Sequence, residues 1–195
     1  VKKVMTKKWI FALFFTLFLT ACYDNIAPED REFVITMGID KAEDGGYSIT
    51  LEIPKINALN SKSAEGDTKD IKTATGETLA EAMYNADKNS SKKTYYEQMK
   101  VVIFSEEVIQ NEELFVNAVF ELLENRAISN RILILRTEES AKDIISKNPK
   151  EDSMMGLFIA NFYKKNKDSA YRVDLDKLVR YITQGQEIEI PLVKT

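Results

Sequence analysis

The sequence predicts an α+β fold of mixed layers. An N-terminal hairpin is followed by strand, helix, strand and helix on one sheet, and then by a smaller second domain of helices and a strand. Three observations predict it. Residues 33–53 alternate apolar and polar with a period of two around Asp44-Gly45-Gly46. Val101-Val102-Ile103-Phe104 and Ile132-Leu133-Ile134-Leu135 are unbroken apolar runs of strand length. Between and beyond them, apolar residues recur at helical spacing, as in chains that layer helices on a sheet.

The elements follow in order. Phe33, Ile35, Met37 and Ile39 share one face of a first strand, and Tyr47, Ile49, Leu51 and Ile53 share one face of a second. Ser48, Thr50 and Glu52 oppose them, which predicts two half-buried antiparallel strands. Asn57 to Lys69 is polar and without apolar rhythm, a loop, and Asp70 to Thr75 is a short edge strand. Thr78-x-x-Glu81 is a capping box that opens a helix striped by Leu79, Ala82, Met83 and Ala86. Asn89-Ser90-Ser91 fits a glycosylation pattern but reads better as the polar end of that helix. Asn111 caps the next helix, whose core stripe is Leu114, Phe115, Ala118, Val119, Leu122 and Leu123. Ser140 to Ser146 forms a short helix, and Pro149 to Asp152 marks a boundary. Beyond it come a helix carrying Leu157, Phe158, Phe162 and Tyr163, and a helix capped by Asp174 and striped by Leu175, Leu178, Val179 and Ile182. A final strand alternates Ile188, Ile190 and Leu192. The expected domains are therefore 33–148 and a second, truncated one over 152–195.

Composition excludes more than it suggests. There is no histidine, which removes Ser-His-Asp and Cys-His catalysis and HExxH zinc sites. One cysteine cannot build a thiolate metal cluster or a disulfide within the chain. Neither GxxxxGK[ST] nor GxGxxG occurs. The adjacent pairs Glu106-Glu107, Glu112-Glu113 and Glu138-Glu139 each sit where a helix should begin, and the helix dipole explains acidic residues there. The sequence thus predicts no enzyme, no metal and no cofactor.

The N-terminus carries the one sharp motif. Lys2, Lys3, Lys7 and Lys8 precede an uncharged run from Trp9 to Leu19, the layout of a secretory signal and too short to span a bilayer comfortably. Leu19-Thr20-Ala21-Cys22 resembles the lipobox of bacterial lipoproteins. That resemblance implies cleavage between Ala21 and Cys22, with a diacylglyceryl group and an N-acyl chain such as palmitate on Cys22. Two or more chains hold a protein firmly where one holds it marginally. Residues 1–21 are then a signal peptide and residues 22–32 a tether. Losing the four signal lysines takes the basic count from 27 to 23 against 31 acidic residues, a net charge of −8. Such a body is repelled by nucleic acid and by anionic lipid, so the lipid, not the surface charge, would hold it at a membrane.

Several segments, in order, resemble the Ger(x)C family, the lipoprotein C subunits of nutrient germinant receptors in endospore-forming bacteria. They are Cys22-Tyr23-Asp24, Asp30-Arg31-Glu32, Met37-Gly38-Ile39-Asp40, Gly76-Glu77-Thr78, Met99 to Glu107 with its paired glutamates, and Glu124-Asn125-Arg126. Tyr23 stands where the family has tryptophan and Ser105 where it has glycine, and the chain ends before the family's C-terminal domain. The resemblance implies a lipid-anchored subunit on the outer face of the cell membrane, in the inner spore membrane. Its partners would be polytopic membrane subunits, with the germinant bound elsewhere in the complex. The alternatives are a solute-binding lipoprotein and a structural envelope lipoprotein. For partner contacts the candidates are Glu121, Glu124, Arg126 and Arg131, each equally explained by a solvated face or by local pairing.

Overall fold

The computed structural model describes residues 28–55, 68–149, 154–166 and 171–194. A 3₁₀ turn, Pro28–Asp30, leads into β1 (Arg31–Phe33), β2 (Thr36–Lys41), β3 (Tyr47–Pro54), β4 (Lys69–Gly76) and α1 (Leu79–Lys88). Then come β5 (Lys93–Tyr95), β6 (Val101–Ser105), α2 (Glu106–Gln110), α3 (Glu112–Glu124) and β7 (Leu133–Thr137). Three helices follow: α4 (Ala141–Ser146), α5 (Met155–Lys165) and α6 (Leu175–Thr183). The main sheet has the order β4-β3-β2-β6-β7, and β1 and β5 make a separate parallel ribbon. β2, β3 and β4 are antiparallel neighbours, whereas β2, β6 and β7 run parallel. Helices on a mixed sheet are the α+β class that the sequence predicts.

The hairpin forms where the glycines stand. Lys41 pairs with Tyr47, and Gly45 adopts φ +97, a conformation that favours glycine. The parallel strands β6 and β7 need a crossover, which α2 and α3 supply. Glu81 N donates to Thr78 Oγ1 at 3.1 Å, and Glu77 N donates to Glu81 Oε2 at 2.9 Å, so the capping box forms with its second bond one residue early. Thr78→Ala is expected to cost about 1 kcal/mol, read as a lowered thermal midpoint.

Two cores lie on the two faces of the sheet. Met37, Ile39, Ile49, Leu51, Val102, Phe104 and Ile134 pack against α1, α3 and α6 through Leu79, Met83, Val119, Leu122, Leu175 and Leu178. Val101, Ile103, Leu133 and Leu135 pack on the other face against Ile144, Ile145, Ile159 and Tyr163 of α4 and α5. Gly38 lets α4 lie on β2, since a Cβ there would come within 2.8 Å of Ile145 Cδ1 and 2.9 Å of Ala141 Cβ.

The sequence places a second domain from residue 152, but the described residues beyond it complete the same two cores. Met155, Ile159 and Tyr163 join one core, and Val173, Leu175, Leu178 and Ile190 join the other. Ile134 N donates to Val173 O at 2.9 Å and Leu175 N to Ile132 O at 3.1 Å, tying α6 to β7. Arg31 and Glu32, at the end of the tether expected over 22–32, belong to a strand, Arg31–Phe33, in register with Lys93–Tyr95. The final strand is instead a segment making one bridge, Arg136 to Leu192, with Arg136 N donating to Pro191 O and Val193 N to Arg136 O. Lastly, α5 buries Met155, Gly156, Ile159 and Tyr163, and Phe162 is left exposed. The loop predicted from Asn57 lies outside the described residues up to position 67, and Lys69, at its expected end, begins β4.

Candidate functional site

Cys22, the Ala21–Cys22 junction and residues 1–21 lie outside the described residues. Within the described residues, polar chemistry concentrates in one buried cluster beneath α4 and α5. Register sets Thr36 of β2 opposite Glu52 of β3, and both are fully buried. Glu52 Oε1 accepts from Met155 N at 2.8 Å and from Lys69 Nζ at 3.1 Å. Its Oε2 accepts from Gly156 N at 2.9 Å and from Thr36 Oγ1. The carboxylate therefore caps the first turn of α5, where free N–H groups and the helix dipole favour a negative charge. Lys69 Nζ donates onward to Ile145 O at 2.6 Å and Lys147 O at 2.9 Å, closing the C-terminal end of α4. Gly156 is required at the contact, because a Cβ there would stand 1.9 Å from Thr36 Oγ1. All polar atoms of the ion pair are engaged, so this is a clasp joining three strands to two helices.

A second polar junction lies at the C-terminal end of β2. Asp40 accepts from Ala141 N at 2.7 Å, Lys142 N at 3.1 Å and Ser140 Oγ at 3.3 Å, and so caps α4. Burial pushes its carboxyl above the ordinary value of 3.8, against those three bonds, which favour the charged form. With the pKa raised on folding, the unfolded chain releases this proton first, so stability falls as pH rises from about 4 through the folded value. Asp40→Asn keeps an acceptor but has no proton to release. Its stability relative to the native protein should therefore improve between about pH 4 and pH 7, read from urea midpoints at both.

The candidate residues for partner contact are dispersed. Glu121 Oε2 accepts from Ala80 N at 2.7 Å and so closes the first turn of α1, a structural role. Arg126 and Arg131 are exposed and form no ion pair among the described residues, and Glu124 is exposed too. Of the acidic pairs, Glu106-Glu107 and Glu112-Glu113 open α2 and α3 as expected. Glu138 and Glu139 instead precede the cap of α4 and pair with Lys194 and Lys147 at 2.8 Å each. Two open depressions flank α2 and the start of α3, one lined by Lys41, Glu43 and Glu107 and the other by Glu112, Glu113 and Asn117. Among the described residues no group of three His, Cys, Asp or Glu is placed to hold a metal. Nor is any described helix long and apolar enough to cross a membrane.

The described segments that carried the family resemblance hold structural tasks. Glu32 accepts from Ser90 Oγ at 3.0 Å and bonds Lys72. Gly76 admits α1, since a Cβ would stand 2.4 Å from Ala82 N. Glu106 pairs with Arg136 at 3.1 Å. Asn125 Oδ1 accepts from Ala127 N at 3.0 Å to turn the chain out of α3. Sequence reasoning missed Glu52, Lys69 and Gly156. Their only trace was a glutamate at the period-two position facing away from the Tyr47 stripe.

The described residues form an α+β domain whose family-like segments build caps and turns and whose buried Glu52 and Lys69 are closed on one another. The chain belongs to the family of spore germination protein N-terminal domains, whose model matches residues 24–195, which places it among Ger(x)C proteins. It is 25% identical to spore germination protein GerQC of Bacillus cereus over 161 residues, 82% of this chain and 43% of that relative. It is 22% identical to spore germination protein A3 of Bacillus subtilis (strain 168) over 183 residues, 91% of this chain and 48% of that relative. The chain thus spans less than half the length of these relatives. No solved structure matches it.

Proposed function

We propose that this chain is a membrane-anchored lipoprotein subunit of a nutrient germinant receptor, acting in spore germination through assembly with polytopic membrane subunits. The family match over residues 24–195 carries the reading. The Leu19-Thr20-Ala21-Cys22 motif supports the anchor, with cleavage before Cys22 and acylation of its thiol and new amino group. The role is non-catalytic: the clasp around Glu52 and the cap at Asp40 spend their charges on holding the fold. The place of action is the outer face of the inner spore membrane, and the germinant is bound by other subunits.

The test is to isolate tagged protein from spore membranes in mild detergent and analyse the complex by mass spectrometry. The expected result is an N-terminal peptide beginning at acylated Cys22, recovered with multi-span membrane proteins. Unmodified Cys22 with no membrane partner would refute the proposal.

A further inference from the structure

We propose that the end of the domain where the parallel strands begin is its membrane-facing surface, with Lys92, Lys93 and Lys100 meeting anionic lipid headgroups. The inference rests on the reading that Cys22 carries the lipid. Its first support is the segregation of charge along the sheet. The turns leaving β2, β4 and β6, with the helix starts beside them, expose Glu43, Asp44, Glu77, Glu107, Glu112 and Glu113 against Lys41 and Lys142. The opposite end, where the chain enters β2, β6 and β7, exposes Lys88, Lys92, Lys93, Lys100, Arg126 and Arg131.

Helix dipoles account for the acidic first turns and for Lys88 in the last turn of α1. They do not account for Lys92, Lys93, Lys100 or Arg131, which lie outside the helices. Carboxylates at that end are partly spent within the fold. Glu32 serves Lys72 and Ser90, Asp87 accepts from Thr94 N at 3.0 Å, and Asp174 caps α6. Glu29, Asp30, Glu97 and Glu124 remain exposed there, whereas Lys92, Lys93 and Lys100 form no ion pair among the described residues.

The second support is where the tether arrives. Pro28 leads straight into β1, and β1 pairs with β5 at the basic end. Only the five residues from Tyr23 to Ala27 separate the lipidated position from Pro28, and at full extension that stretch reaches about 20 Å. Arg31 and Lys93 stand in register on neighbouring strands, each 5.4 Å from the centre of the Tyr95 ring. A half-buried tyrosine flanked by cations suits a surface that meets the water-lipid boundary. Electrostatic reach there is about 8 Å at physiological salt, so a body of net charge −8 approaches anionic lipid best with its acidic end turned away.

The experiment uses the acylated protein in vesicles of equal parts phosphatidylglycerol and phosphatidylcholine, with a quencher on the lipid headgroup. One fluorophore is placed at Gln98→Cys, at the basic end, or at Gln110→Cys, at the acidic end; both positions are exposed. The label at 98 should be quenched at least twofold more than the label at 110, and Lys92→Glu with Lys93→Glu should abolish the difference. Equal quenching at the two positions, or a difference indifferent to the lysine changes, would overturn the proposal while leaving the anchor intact. If neither labelled protein floats with the vesicles, the anchor itself fails and the orientation falls with it.

Discussion

Glu52→Ala is expected to destabilise the domain by about 3–5 kcal/mol, a large share of the roughly 5–15 kcal/mol that a domain possesses. The loss has two sources. Lys69, only 5% exposed, would keep its charge in the interior without its carboxylate, and the N–H groups of Met155 and Gly156 would lose their acceptor. Pairing the change with Lys69→Met removes the stranded charge, so the double variant should recover part of the loss. Urea unfolding followed by far-ultraviolet circular dichroism reads all three proteins. A single variant within 1 kcal/mol of the native protein would show that the clasp is not what seats α5.

Cys22→Ala is expected to move the protein from the membrane fraction to the soluble fraction nearly completely. On the proposed reading the acyl chains on Cys22 are what hold the protein, and the −8 balance after signal removal opposes adsorption by the body as a whole. A contact made by Lys92, Lys93 and Lys100 would orient the tethered domain, but three exposed lysines do not replace acyl chains. Fractionation of spores carrying the variant, read by immunoblot, checks this. Full retention of Cys22→Ala in the membrane would place the anchor elsewhere.

What could be read in the sequence was local in origin. The hairpin followed from Asp44-Gly45-Gly46 between period-two strands, and three caps, Thr78, Asn111 and Asp174, bond where their sequence contexts put them. The clasp was not readable in that way. A glutamate at a polar strand position looks solvated unless a second layer is known to cover it, and here Met155 of α5 meets it from 103 residues further along the chain. Lys69 was taken into a polar loop because inward-pointing charge on an edge strand leaves no periodic mark. The helix α5 is legible in its apolar residues, but they nearly encircle it, so periodicity does not choose Ile159 over Phe162 as its buried face. The apparent boundary at Pro149 falls between α4 and α5, whose residues share one core, and composition alone does not distinguish such a position from a linker between domains. At the functional level the cysteine motif and the ordered family segments were visible, and the packing gives those described segments their structural reasons.

The most direct measurement is nutrient-triggered germination of spores from which the gene has been deleted, followed as the fall in optical density after each class of germinant. The account predicts that the response to one class of nutrient is lost while the others persist, and that the native gene, but not Cys22→Ala, restores it. An unchanged response to every class of nutrient would contradict a role in germinant reception.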